Sequence, residues 1–173
     1  MYKAMTLIEI LTTIVVMVIA TYFISPIIFT LQDRVALNSE IENIQSFIYQ
    51  LQTKARYSKR NYTLTISQND NNWCMVAVRK PINSTKQIIC DCLNKQFCQF
   101  EDEYHIYTPF HSKIRLKNKS LYPNAFINID GVSGRLESKC IQISLNQESD
   151  ILQFETLGRV YVAERDKRST CKD

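Results

Sequence analysis

A long run without charged side chains dominates the first part of this chain. From Ile10 to Gln32 the sequence contains no Asp, Glu, Lys or Arg. As an α-helix rising about 1.5 Å per residue, the run reaches roughly 34 Å, which exceeds the ~30 Å thickness of the hydrocarbon core of a bilayer. The run therefore predicts a single helix that spans a membrane.

One acidic residue, Glu9, lies at the start of this apolar segment. A carboxylate among membrane-spanning residues costs at least a few kcal/mol, so by default it marks a functional position with a partner. A cleavable signal peptide would place a small-x-small site after the apolar run, and residues 22–29 contain none. The alternative of an ordinary single-pass anchor leaves Glu9 without a role.

The residues from Lys3 to Glu9, Lys-Ala-Met-Thr-Leu-Ile-Glu, resemble the class III leader junction of type IV pilins and of type II secretion pseudopilins. The resemblance implies a leader at residues 1–4, cleavage by a prepilin peptidase between Ala4 and Met5, and methylation of Met5. In that family the glutamate pairs with such an amine in the growing filament, which gives Glu9 an assembly role. Ala4 and Met5 stand where glycine and phenylalanine are usual. Pro26 matches the place where many such pilins kink their long helix, because its ring removes an N–H and clashes with the preceding turn.

The helix is expected to continue beyond the membrane. After the membrane and assembly segment at residues 5–32, apolar residues recur at steps of three and four, which places them on one helical face. They are Leu37, Ile41, Ile44, Phe47, Ile48, Leu51 and Ala55. Residues 33–60 are thus predicted to form an amphipathic continuation of the same helix, with this stripe against a core.

Residues 61–173 are predicted to form an antiparallel β domain, because short alternating runs are separated by turn residues. The predicted strands are 62–67, 73–79, 87–92, 105–108, 113–117, 125–129, 140–145, 151–154 and 159–163. A long N-terminal helix, transmembrane in its first half, followed by an antiparallel sheet is an α+β fold, and the pilin resemblance implies the same architecture.

The last segments resemble the end of the GspH/FimT group of minor pilins. The matching segments are 125–131, 140–143 and 157–162. In the FimT branch the resemblance implies binding of extracellular double-stranded DNA through a Gly-Arg-x-Arg motif. Gly158 and Arg159 match that motif, and Tyr161 occupies the place of its second arginine.

Two basic patterns add candidate DNA contacts to Arg159. Cations recur at every second residue of one predicted strand, which places them on one face of the sheet. They are Lys113, Arg115, Lys117 and Lys119, and the C-terminal tail adds Arg165, Lys167 and Arg168. Such cations bind phosphates without reading sequence. The alternative is that the lysines only keep an exposed strand soluble and guard a sheet edge.

Six cysteines follow the membrane segment, and their even number suits disulfides in an oxidising compartment. They are Cys74, Cys90, Cys92, Cys98, Cys140 and Cys171. The competing interpretation is a metal site at Cys90, Cys92 and Cys98, although this spacing differs from the C-x-x-C pairs of a zinc ribbon. Connectivity is open, with Cys140–Cys171 as a guess that would pin the tail to the sheet.

No feature of the sequence favours catalysis or a cofactor. The chain has three glycines among 173 residues and lacks the motifs of nucleophile elbows, phosphate loops and zinc proteases. We expect a non-enzymatic minor pilin of a type IV pilus, held in the inner membrane with a periplasmic C-terminal domain and displayed on the pilus after assembly. Its expected partners are other pilins, the prepilin peptidase, the inner-membrane assembly platform and double-stranded DNA, with a role in DNA uptake during natural competence. The alternatives are a GspH-like pseudopilin of a type II secretion system and a membrane-anchored periplasmic binding protein.

Overall fold

The computed structural model describes residues 6–69, 72–81, 89–94, 98, 103–117 and 124–163, except for the side chains of Pro26 and Asn124. One α-helix precedes all the strands. The elements are α1 (Leu7–Ser58), β1 (Tyr62–Gln68), β2 (Trp73–Arg79), β3 (Tyr104–Tyr107), β4 (Arg115–Lys117), β5 (Asn124–Ile129), β6 (Lys139–Leu145), β7 (Glu148–Phe154) and β8 (Val160–Val162). The predicted α+β architecture is confirmed.

The strands form two four-stranded antiparallel sheets, with orders β3-β2-β1-β5 and β4-β6-β7-β8. In the first sheet, Tyr62 of β1 lies opposite Arg79 of β2. In the second, β4 pairs with β6, and Leu116 lies opposite Ile143. Among the strands that the structure describes, β4 is therefore at the edge of its sheet.

The helix α1 has 52 residues and changes environment along its length. Its first part contains a window long and apolar enough to cross a membrane by length and composition, and its large apolar side chains from Leu7 to Leu31 are exposed. Leu37 is fully buried, and from there the predicted stripe packs into one core with residues of both sheets. Six of the seven stripe residues are buried and Phe47 packs against the core, so this face of the helix lies against the β domain.

The first sheet also packs on its second face. There Cys74, Val76 and Val78 of β2 form a small cluster with Cys90 and Cys92. The predicted strand at residues 87–92 is wrong for residues 89–92, which form no strand; the residues before them lie outside the described part. Two disulfides hold this segment in place of strand pairing: Cys92 is bonded to Cys74 of β2, and Cys90 is bonded to Cys98.

Two turns are fixed to the C-terminal end of the helix. The buried Gln52 donates hydrogen bonds of 2.9 Å from Nε2 to the carbonyl oxygens of Gly134 and Gly158. Gly131 lies against the backbone of Arg60, where an added Cβ would come within 2.5 Å of the Arg60 nitrogen. These contacts seat the β domain firmly on the end of the helix.

Candidate functional site

The exposed apolar surface of α1 begins beside Glu9. Glu9 lies in the first turn of the helix, and its side chain is exposed. Its amide donates a 3.0 Å hydrogen bond to the Thr6 carbonyl oxygen, and Thr12 Oγ1 donates to the Glu9 carbonyl at 2.9 Å. Ala4 and Met5 lie outside the described residues, so the expected pairing of Glu9 with an amine stays a prediction. Pro26 lies within the continuous helix, and its expected kink also stays a prediction.

Strand β4 presents the predicted alternation of basic and apolar residues. Lys113, Arg115 and Lys117 are exposed, whereas Ile114 and Leu116 are 1% and 2% exposed. Arg115 and Lys117 therefore share the outer face of β4, whereas Lys113 lies in the turn before it, because the strand predicted for residues 113–117 begins at Arg115. Lys119, the fourth member predicted for this row, lies outside the described residues.

A polar cavity of about 570 Å³ adjoins the row of cations. It is lined by Asn72, Ser112, Lys113, Arg115, Ser144 and Asn146. Among these described lining residues there is no carboxylate. The nearby Asp33 carboxylate accepts a 2.7 Å hydrogen bond from the Asn146 amide. The cavity thus combines cations with amide and hydroxyl groups, which is a suitable set of donors for an anion.

Arg159, the residue matched to the family motif, is held by its own neighbours. Its Nε donates a 2.9 Å hydrogen bond to Glu155 Oε2, and its guanidinium lies 5.6 Å from the centre of the Tyr161 ring. Tyr161 Oη donates to the other Glu155 oxygen at 3.0 Å. The hydrogen bond from Arg159 lowers the pKa of Glu155, and Glu155 in turn raises the pKa of Arg159. Arg159 therefore already has a carboxylate partner at the surface, and the tail cations Arg165, Lys167 and Arg168 lie outside the described residues.

The cysteines form disulfides. Cys74 is bonded to Cys92 and Cys90 to Cys98. Cys140 is also disulfide-bonded, while Cys171, its guessed partner, lies outside the described residues. Within the described part of the chain, no cluster of three His, Cys, Asp or Glu side chains is arranged to hold a metal ion. Disulfide bonding accounts for the three cysteines that the metal interpretation required.

Sequence reasoning missed a buried carboxylate that anchors the loop before β4. Glu40, fully buried in α1, accepts a 2.6 Å hydrogen bond from Tyr107 Oη and bonds of 3.1 and 3.3 Å from the Phe110 amide. Burial raises the pKa of Tyr107 well above its usual value, and the bond to Glu40 raises it further. The available signal was the position of Glu40, three residues after Leu37 and four before Ile44, on the inward face of the helix.

The fold and these surfaces define a class: a single apolar helix, long enough to anchor in a membrane, carrying an antiparallel β domain at its distal end. A solved structure with a similar fold is that of the type IV minor pilin FimU of Pseudomonas aeruginosa. The match has a TM-score of 0.50 at 14% identity and covers 79% of this chain and 95% of that one. The chain therefore has a type IV pilin-like fold.

Sequence comparison adds one full-length relative. An uncharacterized protein of Haemophilus influenzae is 29% identical over 174 residues, which covers 99% of each chain. No family model matches the sequence. The assignment of the fold therefore rests on the structural match.

Proposed function

We propose that this chain is a minor subunit of a type IV pilus that contributes to pilus assembly and to DNA uptake in natural competence. The proposal includes cleavage between Ala4 and Met5, methylation of Met5, retention in the inner membrane through residues 5–32, and entry into a filament with other pilins through the assembly platform. The periplasmic domain then becomes part of the pilus surface.

The observation that carries the proposal is the division of α1 into two unlike halves. The second half is covered by the β domain, while the first exposes its apolar side chains from Leu7 to Leu31. In a bilayer this surface is solvated by lipid, and in a filament it packs against equivalent helices. A helix that served only as a membrane anchor would explain an apolar surface in contact with lipid, but it would not require Glu9 at the start of the helix.

Glu9 is the assembly contact in this proposal. A carboxylate placed in hydrocarbon is stabilised when a cation neutralises it. The new amine of Met5 in a neighbouring subunit supplies such a cation, so loss of the carboxylate blocks filament entry and leaves membrane insertion intact.

Two measurements test the assembly proposal. Mass spectrometry of the mature chain is expected to give a methylated amino terminus at Met5, and an intact leader would contradict the pilin interpretation. Glu9→Gln is expected to insert in the membrane but to be absent from sheared filaments. Thr12→Ala is the matched control, since it lies one helical turn away on an exposed position and keeps the charge.

DNA contact is proposed to centre on β4 rather than on Arg159. Arg115 and Lys117 are exposed on the strand β4, with Lys113 exposed in the turn before it, whereas Arg159 is already paired with Glu155. Each phosphate neutralised by a cation adds about 0.9 to the slope of log affinity against log salt. Lys113→Ala with Lys117→Ala is therefore expected to lower that slope by about two for a duplex.

Arg159→Ala tests the alternative placement at the family motif, because a loss of duplex affinity equal to that of the lysine pair would restore Arg159 as the main contact. Salt-insensitive or absent binding of duplex by the full chain would favour a purely structural subunit. If the protein co-purifies with a secretion channel and not with pili, the type II pseudopilin alternative replaces the pilus assignment.

A further inference from the structure

We infer that the loop from residue 108 to 114 and the cation row of β4 together bind single-stranded nucleic acid, with Phe110 stacking on an unpaired base. The inference rests on the DNA contact proposed above and adds the form of DNA that is bound. It starts from an aromatic side chain that the fold holds in water.

Phe110 is 82% exposed. Burying a phenylalanine side chain is worth about 1.5–3 kcal/mol, so an exposed ring forgoes that stabilisation unless a ligand covers it. Its ring contacts His111 edge-on, with centroids 5.3 Å apart. Most of the Phe110 surface remains open to a flat partner.

The loop that carries Phe110 is anchored at both ends. The buried Glu40 carboxylate accepts hydrogen bonds from the Phe110 amide. At the other end the buried Trp73 Nε1 donates a 3.0 Å hydrogen bond to the Ile114 carbonyl oxygen, and the Ile114 amide donates to the His111 carbonyl at 3.1 Å. These bonds hold the backbone in place, so the ring cannot retreat into the protein by a loop movement without breaking buried contacts.

The cations begin three residues after the ring. Three residues span at most about 11 Å, so Phe110 and Lys113 lie within the reach of one or two nucleotides. Along β4, Arg115 and Lys117 are about 6.7 Å apart. Lys113 lies in the turn just before the strand and adds a third exposed cation for phosphate contact. The adjoining cavity adds the hydroxyl and amide groups of Ser112, Ser144 and Asn72.

An aromatic ring beside a basic groove is the arrangement that binds single strands. The cations follow the backbone, while the ring stacks on a base regardless of its identity. In a duplex the bases are already stacked on one another, so a rigid exposed ring gains nothing from it. The pairing of ring and cations therefore favours unpaired nucleic acid over duplex at this loop.

The test measures fluorescence anisotropy of labelled oligothymidylate of about twenty nucleotides with the full-length protein in detergent. This length exceeds the ~4–16-nucleotide sites of OB folds that bind single strands. Phe110→Ala is expected to weaken binding of this strand about 5- to 150-fold, the range for one lost stacked base. Phe110→Trp, which keeps a stacking surface, is expected to retain affinity. The affinity for a duplex of equal length is expected to stay unchanged in both variants.

Val132→Ala is the matched control. Val132 is also 82% exposed in a turn. Its neighbour Gly131 lies against Arg60, and Arg60 is roughly 30 Å along the helix axis from Glu40. This variant is expected to bind the single strand as the unmodified protein does.

Three results would overturn the inference: no binding of the single strand, unchanged binding by Phe110→Ala, or an equal loss for single strand and duplex. The proposed pilus function is judged separately, by filament entry and by duplex binding. Its failure and the failure of the stacking site are therefore distinguishable.

Discussion

Replacing Glu40 tests most directly whether the loop before β4 is anchored to the helix. Its carboxylate is fully buried and accepts hydrogen bonds from Tyr107 and from the Phe110 amide on its two oxygens. Glu40→Gln keeps the volume of the side chain but replaces one accepting oxygen with a donating NH₂ group. With the amide oxygen at the Oε1 position, Tyr107 and Phe110 share that single neutral acceptor, and the Phe110 amide loses its shorter 3.1 Å bond to Oε2.

The magnitude follows from the energies of these bonds. A hydrogen bond to a charged group contributes about 1.5–3 kcal/mol and a neutral one about 0.5–1.5 kcal/mol, while a buried donor without a partner costs about 1–3 kcal/mol. Losing one charged bond and weakening the other predicts a decrease of roughly 2–4 kcal/mol in the free energy of unfolding. For a chain of this size that corresponds to a decrease in Tm of roughly 5–15 °C.

The assay is urea denaturation followed by the fluorescence of Trp73, the one tryptophan of the chain. Trp73 is bonded to Ile114 at the other end of the same loop, so it reports on this region. Glu42→Gln is the matched control, since Glu42 is exposed on the same helix and undergoes the same change of charge. We expect the control to fall within about 0.5 kcal/mol of the unmodified protein.

A double-mutant cycle with Tyr107→Phe isolates one of the bonds. Because the two residues are in contact, their effects are expected to be non-additive by about 0.5–3 kcal/mol. If Glu40→Gln unfolds within about 0.5 kcal/mol of the unmodified protein, the carboxylate does not anchor the loop and the reasoning fails.

Two further predictions concern the other end of the domain. Gly131→Ala is expected to destabilise the fold by about 3 kcal/mol, because its Cβ would lie 2.5 Å from backbone atoms of Arg60; thermal unfolding checks this, with the exposed Val132→Ala as a nearly neutral control. Arg159→Ala is expected to raise the pKa of Glu155 toward its ordinary value, since the Arg159 hydrogen bond lowers it. A carboxyl whose pKa is lowered by folding stabilises the protein above its unfolded-state pKa, and this stabilisation is lost as the pH falls through the folded-state pKa. The variant is therefore expected to lack the contribution of Glu155 to the loss of stability in acid. An unchanged Glu155 titration by NMR would contradict this.

The helix and the alternation of β4 were predictable because both depend on local periodicity. A charge-free run of sufficient length sets the membrane segment, and the spacing of Leu37 to Ala55 sets the buried face. The same holds for Ile114 and Leu116, whose side chains must point away from their basic neighbours on a strand. These features need no knowledge of distant residues.

The contacts of Glu40 and of Arg159 could not be predicted from local periodicity. The partners of Glu40 lie 67 and 70 residues further along the chain. Arg159 is bonded to a residue four positions before it, yet the two are outside a helix, where such spacing predicts no contact. Only the folded turn brings Glu155 against Arg159 and gives that cation a carboxylate partner.

The sequence alone determined a membrane-length helix with one acidic residue at its start, an amphipathic continuation, an antiparallel β domain and a basic strand. The tertiary structure decided the pairing of Cys74 with Cys92 and of Cys90 with Cys98, the edge position of β4 and the anchoring of Phe110. The physical reason is the range of the interactions. Side-chain periodicity is written into neighbouring residues, whereas disulfide partners, strand order and buried hydrogen bonds depend on which distant segments the core brings together.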